Sequence, residues 1–241
     1  MIRIVRPAKE PAALKAARKR RRPKVTRQTL GKDIKGYGVA KDALAKMQHL
    51  LCAYCEMRQL TPKWRDVEHY RPKSAYPWLA WSWENLLFAC KECNSDAKGD
   101  QFPIRGTKLA FKRKPPGLEN AELLDPSVAG FDFRDHIQFR KVTLATKDRW
   151  QPFGTSHEGR TTVKVLKLAR PELLDLYTYC VETVAQPNAT LIVANAQDLG
   201  PTLTTLFQPG IAFRALIHDA LKVLLPAPLA KQVDAKALGL V

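Results

Sequence analysis

Two Cys-x-x-Cys pairs place the strongest constraint on how this chain can fold. Cys52 and Cys55 form the first pair, and Cys90 and Cys93 form the second. A Cys-x-x-Cys turn presents two thiolates at the separation that a tetrahedral zinc ion needs, and four thiolates complete its coordination. A redox-active pair would account for one of these motifs but not for both. The sequence therefore predicts a structural Zn²⁺ site that joins the two pairs.

The spacing of the pairs indicates an insert. Between Cys55 and Cys90 lie 34 residues, whereas a simple zinc ribbon has about 15–20. The insert and its flank carry four polar residues that a four-cysteine zinc site does not need: Glu68, His69, Asn85 and Asn94. We therefore expect the zinc to act as a scaffold that holds the ends of the insert together.

The charge of the chain predicts a polyanionic partner. Forty Lys and Arg residues against 23 Asp and Glu give a net charge of +17, which is typical of nucleic-acid-binding proteins. Residues 1–60 hold 16 of the basic residues and four of the acidic ones. Residues 1–38 are predicted to form a basic N-terminal arm, either solvated or bound to phosphates. Its candidate nucleic-acid-binding residues are Arg18, Arg20, Arg21 and Arg22.

The apolar residues give no sign of a membrane protein. No N-terminal run resembles a signal peptide, and no stretch approaches the roughly 18 apolar residues that a membrane span needs. We therefore expect a cytoplasmic chain with no membrane partner, in which thiols stay reduced unless a metal binds them.

Residues 39–112 are predicted to form the core domain. A helix from about Val39 should deliver the first cysteine pair, and residues 65–75 read as a strand followed by a turn at Arg71-Pro72. A short helix should run from Asn94 through Lys98. The tryptophans of this region are expected to pack in the core rather than to stack on bases; they are Trp78, Trp81 and Trp83.

Residues 113–241 are predicted to be mainly helical, after a linker over 113–120 and a strand over 136–144. Pro171 suits the first turn of a helix over about 171–186. A second helix should carry an apolar stripe, which needs either a core of its own or a partner protein; it consists of Phe213, Leu216, Ile217, Ala220, Leu221 and Leu224. His218 lies on the opposite face and is predicted to be at the surface.

The order of the polar residues between the cysteine pairs resembles the HNH nuclease family. Its ββα-metal core has an acidic residue and His on the first strand, Asn in the connection, and His or Asn at the start of the helix. The resemblance implies that His69 is the general base, that Asn85 orients its ring, and that Glu68 and Asn94 bind a catalytic Mg²⁺ or Mn²⁺. Adjacent strand residues point to opposite faces, so Glu68 and His69 can meet one phosphate only if the strand bends there.

Three basic residues near these positions are candidates for holding phosphates: Arg71, Lys73 and Lys98. Longer segments are similar to the PtuB-type HNH proteins of the Septu and retron-associated anti-phage systems, among them "LCAYCE", "EHYRPKS" and "WENLLFACKECNSDAKGDQFP". This closer resemblance implies defence by nucleic-acid cleavage beside an ABC-type ATPase, PtuA.

The predicted protein is therefore α+β, with a zinc-stapled ββα-metal (HNH) core, a basic N-terminal arm and a helical C-terminal region. Its predicted activity is metal-dependent hydrolysis of phosphodiester bonds in DNA or RNA. Two alternatives stay open at this point. One is a non-catalytic, zinc-dependent nucleic-acid-binding module, and the other is a free-standing, restriction-type HNH nuclease that needs no ATPase.

Overall fold

Helices and small antiparallel sheets make up the structure, a computed structural model that describes residues 1–115, 117–144, 146–195 and 199–236. The α+β class predicted from the sequence is confirmed. The chain divides into two compact units. One comprises Ile4–Ser127, and the other comprises Met1–Arg3 with Val128–Val241.

The Ile4–Ser127 unit contains both cysteine pairs. Its elements are helices α1 (Ala12–Arg21) and α2 (Lys41–Met47), strands β1 (Arg65–His69), β2 (Leu86–Cys90), β3 (Ile104–Gly106) and β4 (Glu119–Ala121), and a π-helix over Glu92–Lys98. Strands β1 and β2 pair antiparallel, with Glu68 opposite Leu87 and His69 opposite Leu86. Strands β3 and β4 form a second antiparallel pair.

The core of this unit forms around β2, in which every residue is buried. Strand β2 is an uninterrupted apolar run, Leu-Leu-Phe-Ala-Cys, as expected for a strand that is covered on both faces. The three tryptophans of the connection between β1 and β2 are buried in this core, which confirms that they pack rather than present their rings to solvent.

The N-terminal segment that was predicted to form a basic arm contains helix α1, which packs on the core. Leu14 and Ala17 lie one turn apart on α1 and are both buried in the core. The residues before α1 are also tied down, since the backbone N–H of Ile4 donates to the carbonyl of Pro126 (2.7 Å). Leu14 and Ala17 fix the helix against the core, while Lys15, Lys19 and Arg20 stay exposed.

The end of this unit lies beyond the predicted boundary at residue 112. Residues 113–127 belong with the cysteine pairs rather than with the C-terminal helices. The reason is Glu119, whose buried carboxylate accepts hydrogen bonds from Arg71 Nε (2.6 Å), the Tyr76 hydroxyl (2.7 Å) and the backbone N–H of Leu109 (2.8 Å).

The second unit begins with an antiparallel hairpin and continues with helices. Its elements are β5 (Ile137–Leu144), β6 (Lys147–Gly154), α3 (His157–Val165), α4 (Pro171–Cys180), α5 (Gln186–Ala194), α6 (Leu199–Leu206), α7 (Arg214–Leu224) and α8 (Ala227–Lys236). A π-helix over Val181–Ala185 joins α4 to α5. Pro187 follows it and has no N–H to donate to the preceding turn, which interrupts regular α-helical bonding there.

The apolar stripe predicted for α7 belongs to the core of the second unit. Leu216, Ile217 and Leu221 are fully buried, so these positions are not free to bind a partner protein. His218 is also buried, which corrects its predicted surface position. Its ring nitrogens lie 2.8 Å from Asp219 Oδ1 and 2.9 Å from Asp234 Oδ1, and two carboxylates allow an imidazole to be buried there.

Within the described ranges, no helix combines the length and the apolar character that crossing a membrane requires.

Candidate metal centre and catalytic cleft

The four cysteines of the two pairs meet in the Ile4–Ser127 unit. The first pair lies in a turn after α2, in which the N–H of Cys52 donates to the carbonyl of Met57 (3.0 Å). Cys90 ends β2, and Cys93 lies in the first turn of the π-helix, with its N–H directed at the Cys90 sulfur (3.4 Å). All four side chains are buried, and their sulfur atoms lie within 4.8 Å of one another.

The sulfur geometry fits a tetrahedral zinc ion. With Zn–S bonds of about 2.3 Å, the sulfurs of a regular tetrahedron lie about 3.8 Å apart. The Sγ atoms of Cys55 and Cys90 are separated by 3.8 Å. Four thiolates are soft ligands that favour zinc over hard cations such as Mg²⁺. The four cysteines can therefore hold a zinc ion, which joins the turn after α2 to the end of β2.

A cleft of about 510 Å³ lies beside this cluster in the same unit. It is lined by Tyr37, Gly38, Lys41, Asp66, Val67, Glu68, His69, Pro72, Lys73, Asn94, Ser95, Gly99 and Asp100. Among them are three residues that the sequence predicts to be catalytic or cation-binding: Glu68, His69 and Asn94. Lys73, a candidate for holding phosphates, also lines the cleft. Glu68 and His69 both line the cleft although they are adjacent on β1.

His69 is held as a neutral imidazole at the wall of the cleft. Its Nε2 lies 3.1 Å from the carbonyl oxygen of Ala80, and its ring contacts Tyr37 edge-on with 4.5 Å between the ring centroids. A carbonyl oxygen only accepts, so Nε2 carries the proton and Nδ1 keeps its lone pair. Burial lowers the pKa of His69 to about 4, and the charges of Lys73 and Lys98 act in the same direction. The ring is therefore neutral at neutral pH, and its Nδ1 lone pair is not protonated.

Glu68 is buried and shares one of its oxygens with two donors. Oε1 accepts a hydrogen bond from the Tyr54 hydroxyl (2.9 Å) and lies 2.9 Å from the ammonium of Lys98. Burial raises the pKa of Glu68, and the interactions with Lys98 and Tyr54 oppose that rise. Both of these contacts involve Oε1, and Glu68 is among the residues that line the cleft.

Asp66 is a residue of the cleft that the sequence analysis missed. Its Oδ2 accepts hydrogen bonds from Asn94 Nδ2 (3.1 Å) and from the Ser95 hydroxyl (3.3 Å). A carboxylate can only accept, so the Asn94 nitrogen faces Asp66 and the Asn94 oxygen can serve as a ligand. Asp66 precedes Glu68 by two positions, which puts both on one face of a strand. That spacing was the signal that could have identified it.

Asn85 lies behind the cleft and binds backbone rather than the imidazole ring. Its Oδ1 accepts from the N–H of Arg71 (2.9 Å), and its Nδ2 donates to the Arg71 carbonyl (3.0 Å) and to the Leu79 carbonyl (3.4 Å). The orienting role predicted for Asn85 would therefore act on His69 through the backbone. Asn85 joins Arg71, which follows β1, to Leu79, which precedes Ala80. The carbonyl of Ala80 is the group that bonds the His69 ring.

The predicted phosphate-binding residues occupy different environments. Arg71 is paired with Glu119 (2.6 Å), and the fully buried ammonium of Lys98 binds Glu68 and the His69 carbonyl (3.1 Å). Both cations are therefore paired with carboxylates of the fold, and their predicted contact with a phosphate stays a prediction. Lys73 donates to the carbonyl of Gly31 (2.8 Å) and lines the cleft.

The arm residues also separate into different groups. Arg18 forms an ion pair with Glu10 (2.5 Å). Arg20 and Arg21 line a second cavity of the same unit, and Arg22 begins a short 3₁₀ turn after α1.

Replacing Lys98 with methionine is expected to destabilise the protein by about 3 kcal/mol or more, because the Glu68 carboxylate would stay buried without its cation. Urea denaturation measures this change in the free energy of unfolding. The control is Lys46→Met at an exposed position of α2, where the change should stay within about 0.5 kcal/mol. The double variant Glu68→Gln/Lys98→Met should recover part of the loss. Equal stabilities for the Lys98 and Lys46 variants would contradict the expectation.

Two curated proteins are similar to this chain. The Septu protein PtuB of Bacillus mycoides (strain KBAB4) is 32% identical over 151 residues, which are 56% of this chain and 48% of that protein. The Septu protein PtuB of Bacillus thuringiensis is 32% identical over 170 residues, which are 67% of this chain and 56% of that protein. The resemblance to PtuB proteins that the sequence motifs predicted is confirmed.

The extent of this similarity is limited. The chain spans about half the length of the curated relatives it matches. No protein-family model matches the chain, and no solved structure matches it. The similarity therefore concerns PtuB proteins, and the HNH assignment depends on the residues of the cleft.

Proposed function

We propose that this chain is a metal-dependent HNH endonuclease that hydrolyses phosphodiester bonds. The observation that carries the proposal is the meeting of His69, Glu68 and Asn94 at one cleft. The cleft lies where an antiparallel hairpin is followed by a helix, beside four cysteines that can hold zinc. This order of elements and residues supports a ββα-metal core.

His69 is the general base of the proposed reaction. A water molecule that attacks a phosphodiester must lose a proton, and a positioned imidazole can accept it. The hydrogen bond from Nε2 to the Ala80 carbonyl fixes the tautomer that leaves Nδ1 as the acceptor. Asn85 supports this geometry indirectly. Its Oδ1 accepts a hydrogen bond from the N–H of Arg71, and its Nδ2 donates to the carbonyl of Leu79, the residue before Ala80.

The oxygen donors of the cleft fit a catalytic Mg²⁺ or Mn²⁺. Glu68 offers its second carboxylate oxygen, Asn94 offers its amide oxygen, and Asp66 is in contact with Asn94. Hard cations prefer such ligands, and Mg²⁺ is commonly bound by one or two carboxylates together with water and substrate phosphates. When bound, the cation would neutralise the negative charge that develops on the phosphate and the leaving oxygen.

The charge around the cleft supports a nucleic-acid substrate. Lys41 and Lys73 line it, and the chain as a whole carries a net charge of +17. Lysine side chains bind phosphates as point charges without reading base sequence. We therefore assign the substrate as a DNA or RNA backbone.

The proposed biological role is anti-phage defence. The support is the similarity to two Septu PtuB proteins, and the role includes an ABC-type ATPase partner of the PtuA kind. Co-purification of the chain with the ATPase that accompanies it would support this partnership. A nuclease that is fully active alone would instead be a free-standing enzyme of the restriction type.

Cleavage should require a divalent cation, and Asn94→Ala should raise the Mn²⁺ concentration needed for half-maximal cleavage by at least about tenfold, because it removes a cation ligand. The measurement is cleavage of labelled DNA and RNA across a Mn²⁺ titration, with the ATPase and its nucleotide present. Asn120→Ala, at an exposed position of β4, is the matched control and should behave like the parent. Binding without any cleavage under these conditions would favour the non-catalytic zinc module.

A further inference from the structure

A second cavity of the Ile4–Ser127 unit is lined by four basic side chains. It has a volume of about 390 Å³ and lies at the end of α1, where Arg20 and Arg21 border it together with Lys24 and Lys35. Only one acidic residue, Asp33, is among its lining residues. Four positive groups around one small cavity repel one another unless an anion lies between them.

The four basic side chains that line this cavity are not neutralised by acidic residues of the described fold. Within the part of the chain that the structure describes, no ion pair involves any of the four. Other basic residues of the same unit behave differently, since Arg71 is paired with Glu119 and Lys98 with Glu68. The cavity therefore concentrates positive charge that remains available to a ligand.

Arg21 borders this cavity with part of its guanidinium buried. Its Nε is buried without a hydrogen-bond partner among the described residues. The guanidinium lies against Gly36, where a Cβ atom would come within 2.7 Å of that same Nε. Gly36 has φ +84°, a conformation that glycine adopts readily and other residues rarely adopt. The guanidinium fork of arginine is suited to two-point contact with a phosphate.

The wall of the cavity is also fixed to the core. Trp81 lines the cavity and is buried, and its indole N–H donates to the carbonyl of Lys35 (3.1 Å). Ile34, next to Lys35, is buried as well. The segment that carries Lys35 is therefore anchored, and the position of its backbone does not depend on a ligand.

One short segment of the chain contributes residues to both the cavity and the cleft. Lys35 lines the cavity, whereas Tyr37 and Gly38 line the cleft. The Cα atoms of Lys35 and Tyr37 lie at most about 7 Å apart, which is comparable to the spacing of neighbouring phosphates along a nucleic-acid strand. Trp81 also follows Ala80, whose carbonyl binds His69.

We propose that this cavity binds a backbone phosphate of the nucleic acid that lies in the cleft, a short distance along the strand from the cleavage point. The proposal rests on the proposed nuclease function and deepens it, since it assigns a second anchoring position to the substrate. Phosphate is the ligand chemistry, and its source is the strand rather than a free nucleotide.

The test compares two double variants that remove the same charge from exposed lysines. Lys24→Gln/Lys35→Gln changes the cavity, and Lys15→Gln/Lys19→Gln changes α1 at positions that do not line it. Fluorescence anisotropy with short labelled DNA and RNA strands gives the affinity at several salt concentrations, with no divalent cation added. The cavity variant should bind about tenfold more weakly, and its slope of log affinity against log salt should fall by about one for each phosphate that the protein no longer neutralises. The control should stay within about twofold of the parent.

Arg21→Lys provides a second measurement, because it keeps the charge but removes the two-point geometry. It should weaken strand binding in a protein whose circular dichroism matches the parent. Equal losses of affinity in both lysine double variants, or an unchanged salt slope in the cavity variant, would overturn the proposal. Two other results would also overturn it. In the first, calorimetry detects inorganic phosphate or ATP in the cavity, but the cavity variants bind the strand as tightly as the parent. In the second, the cavity variants bind only the ATPase more weakly.

These outcomes are separate from those of the nuclease test. The readout is binding, so loss of strand affinity in the cavity variant would support the phosphate site even if no cleavage were found. Normal cleavage together with an unchanged salt slope would reject the phosphate site alone.

Discussion

Cys90→Ser is expected to unfold the Ile4–Ser127 unit rather than to reduce activity selectively. Cys90 ends β2 and contributes one of four sulfurs that lie within 4.8 Å of one another. A structural zinc ion contributes on the order of 10 kcal/mol to folding, which is similar to the whole stability of a typical domain, about 5–15 kcal/mol. Circular dichroism during thermal unfolding, combined with metal analysis, measures the effect. The parent should carry one zinc per chain, and the variant should lose both zinc and cooperative unfolding.

The fifth cysteine provides the control for this experiment. Cys180 is buried in the second unit, at the end of α4, and lies outside the sulfur cluster. Cys180→Ser should keep one zinc per chain and show only a moderate loss of stability, as is usual for a small polar change in a core. A folded, thermally stable parent without zinc, or a Cys90→Ser protein that unfolds like the parent, would contradict the assignment.

The sulfur cluster also explains how the hairpin is positioned. The amide of Gln48, which follows α2, donates to the carbonyl of Phe88 (2.8 Å) and accepts from its N–H (2.8 Å). The N–H of Ala53 donates to that same carbonyl (2.9 Å). The cysteine turn and β2 are therefore joined by hydrogen bonds as well as by the shared metal site. Loss of the zinc should accordingly disturb β1 and the cleft residues that it carries.

Local signals were sufficient to predict several parts of this site. The four cysteines indicate their own cluster because zinc ligands recur at fixed spacing. The residues themselves predict the strand that carries Glu68 and His69 and a helix that ends at Lys98, although that helix begins at Glu92 rather than at Asn94. What these features share is that spacing along the chain determines them.

Interactions between distant parts of the chain could not be predicted in this way. Lysine is rarely buried, so nothing local indicated that Lys98 would bind Glu68. Glu119 lies 48 positions after Arg71, and only the fold brings the two together. The folding of α1 depends on Leu14 and Ala17, a pattern too short to outweigh the run of basic residues beside it.

His69→Ala is expected to reduce cleavage by about 10²-fold or more while fold, zinc content and strand binding persist, because general-base catalysis typically contributes 10²–10⁴-fold. The imidazole touches neither the cysteine cluster nor the basic cavity. Single-turnover cleavage of DNA and RNA, with the ATPase and its nucleotide present, measures the loss. His49→Asn is the control, since His49 is exposed and has φ 52°, a conformation that asparagine tolerates. That variant should cleave like the parent.

The pH dependence distinguishes a base at this position from a merely structural residue. Burial lowers the pKa of His69 to about 4, from about 6.5 in an unfolded chain. The base is therefore neutral and active throughout the range above about pH 5, and the acidic limb of the cleavage rate should lie near pH 4 rather than near pH 6.5. The same shift means that His69 contributes stability above about pH 6.5 that is lost as the pH falls towards 4. His69→Ala should thus lessen the loss of stability over this range, which urea titrations can measure. A His69→Ala protein that cleaves as fast as the parent would reject the HNH assignment, and a binding module would then be the better account of the cleft.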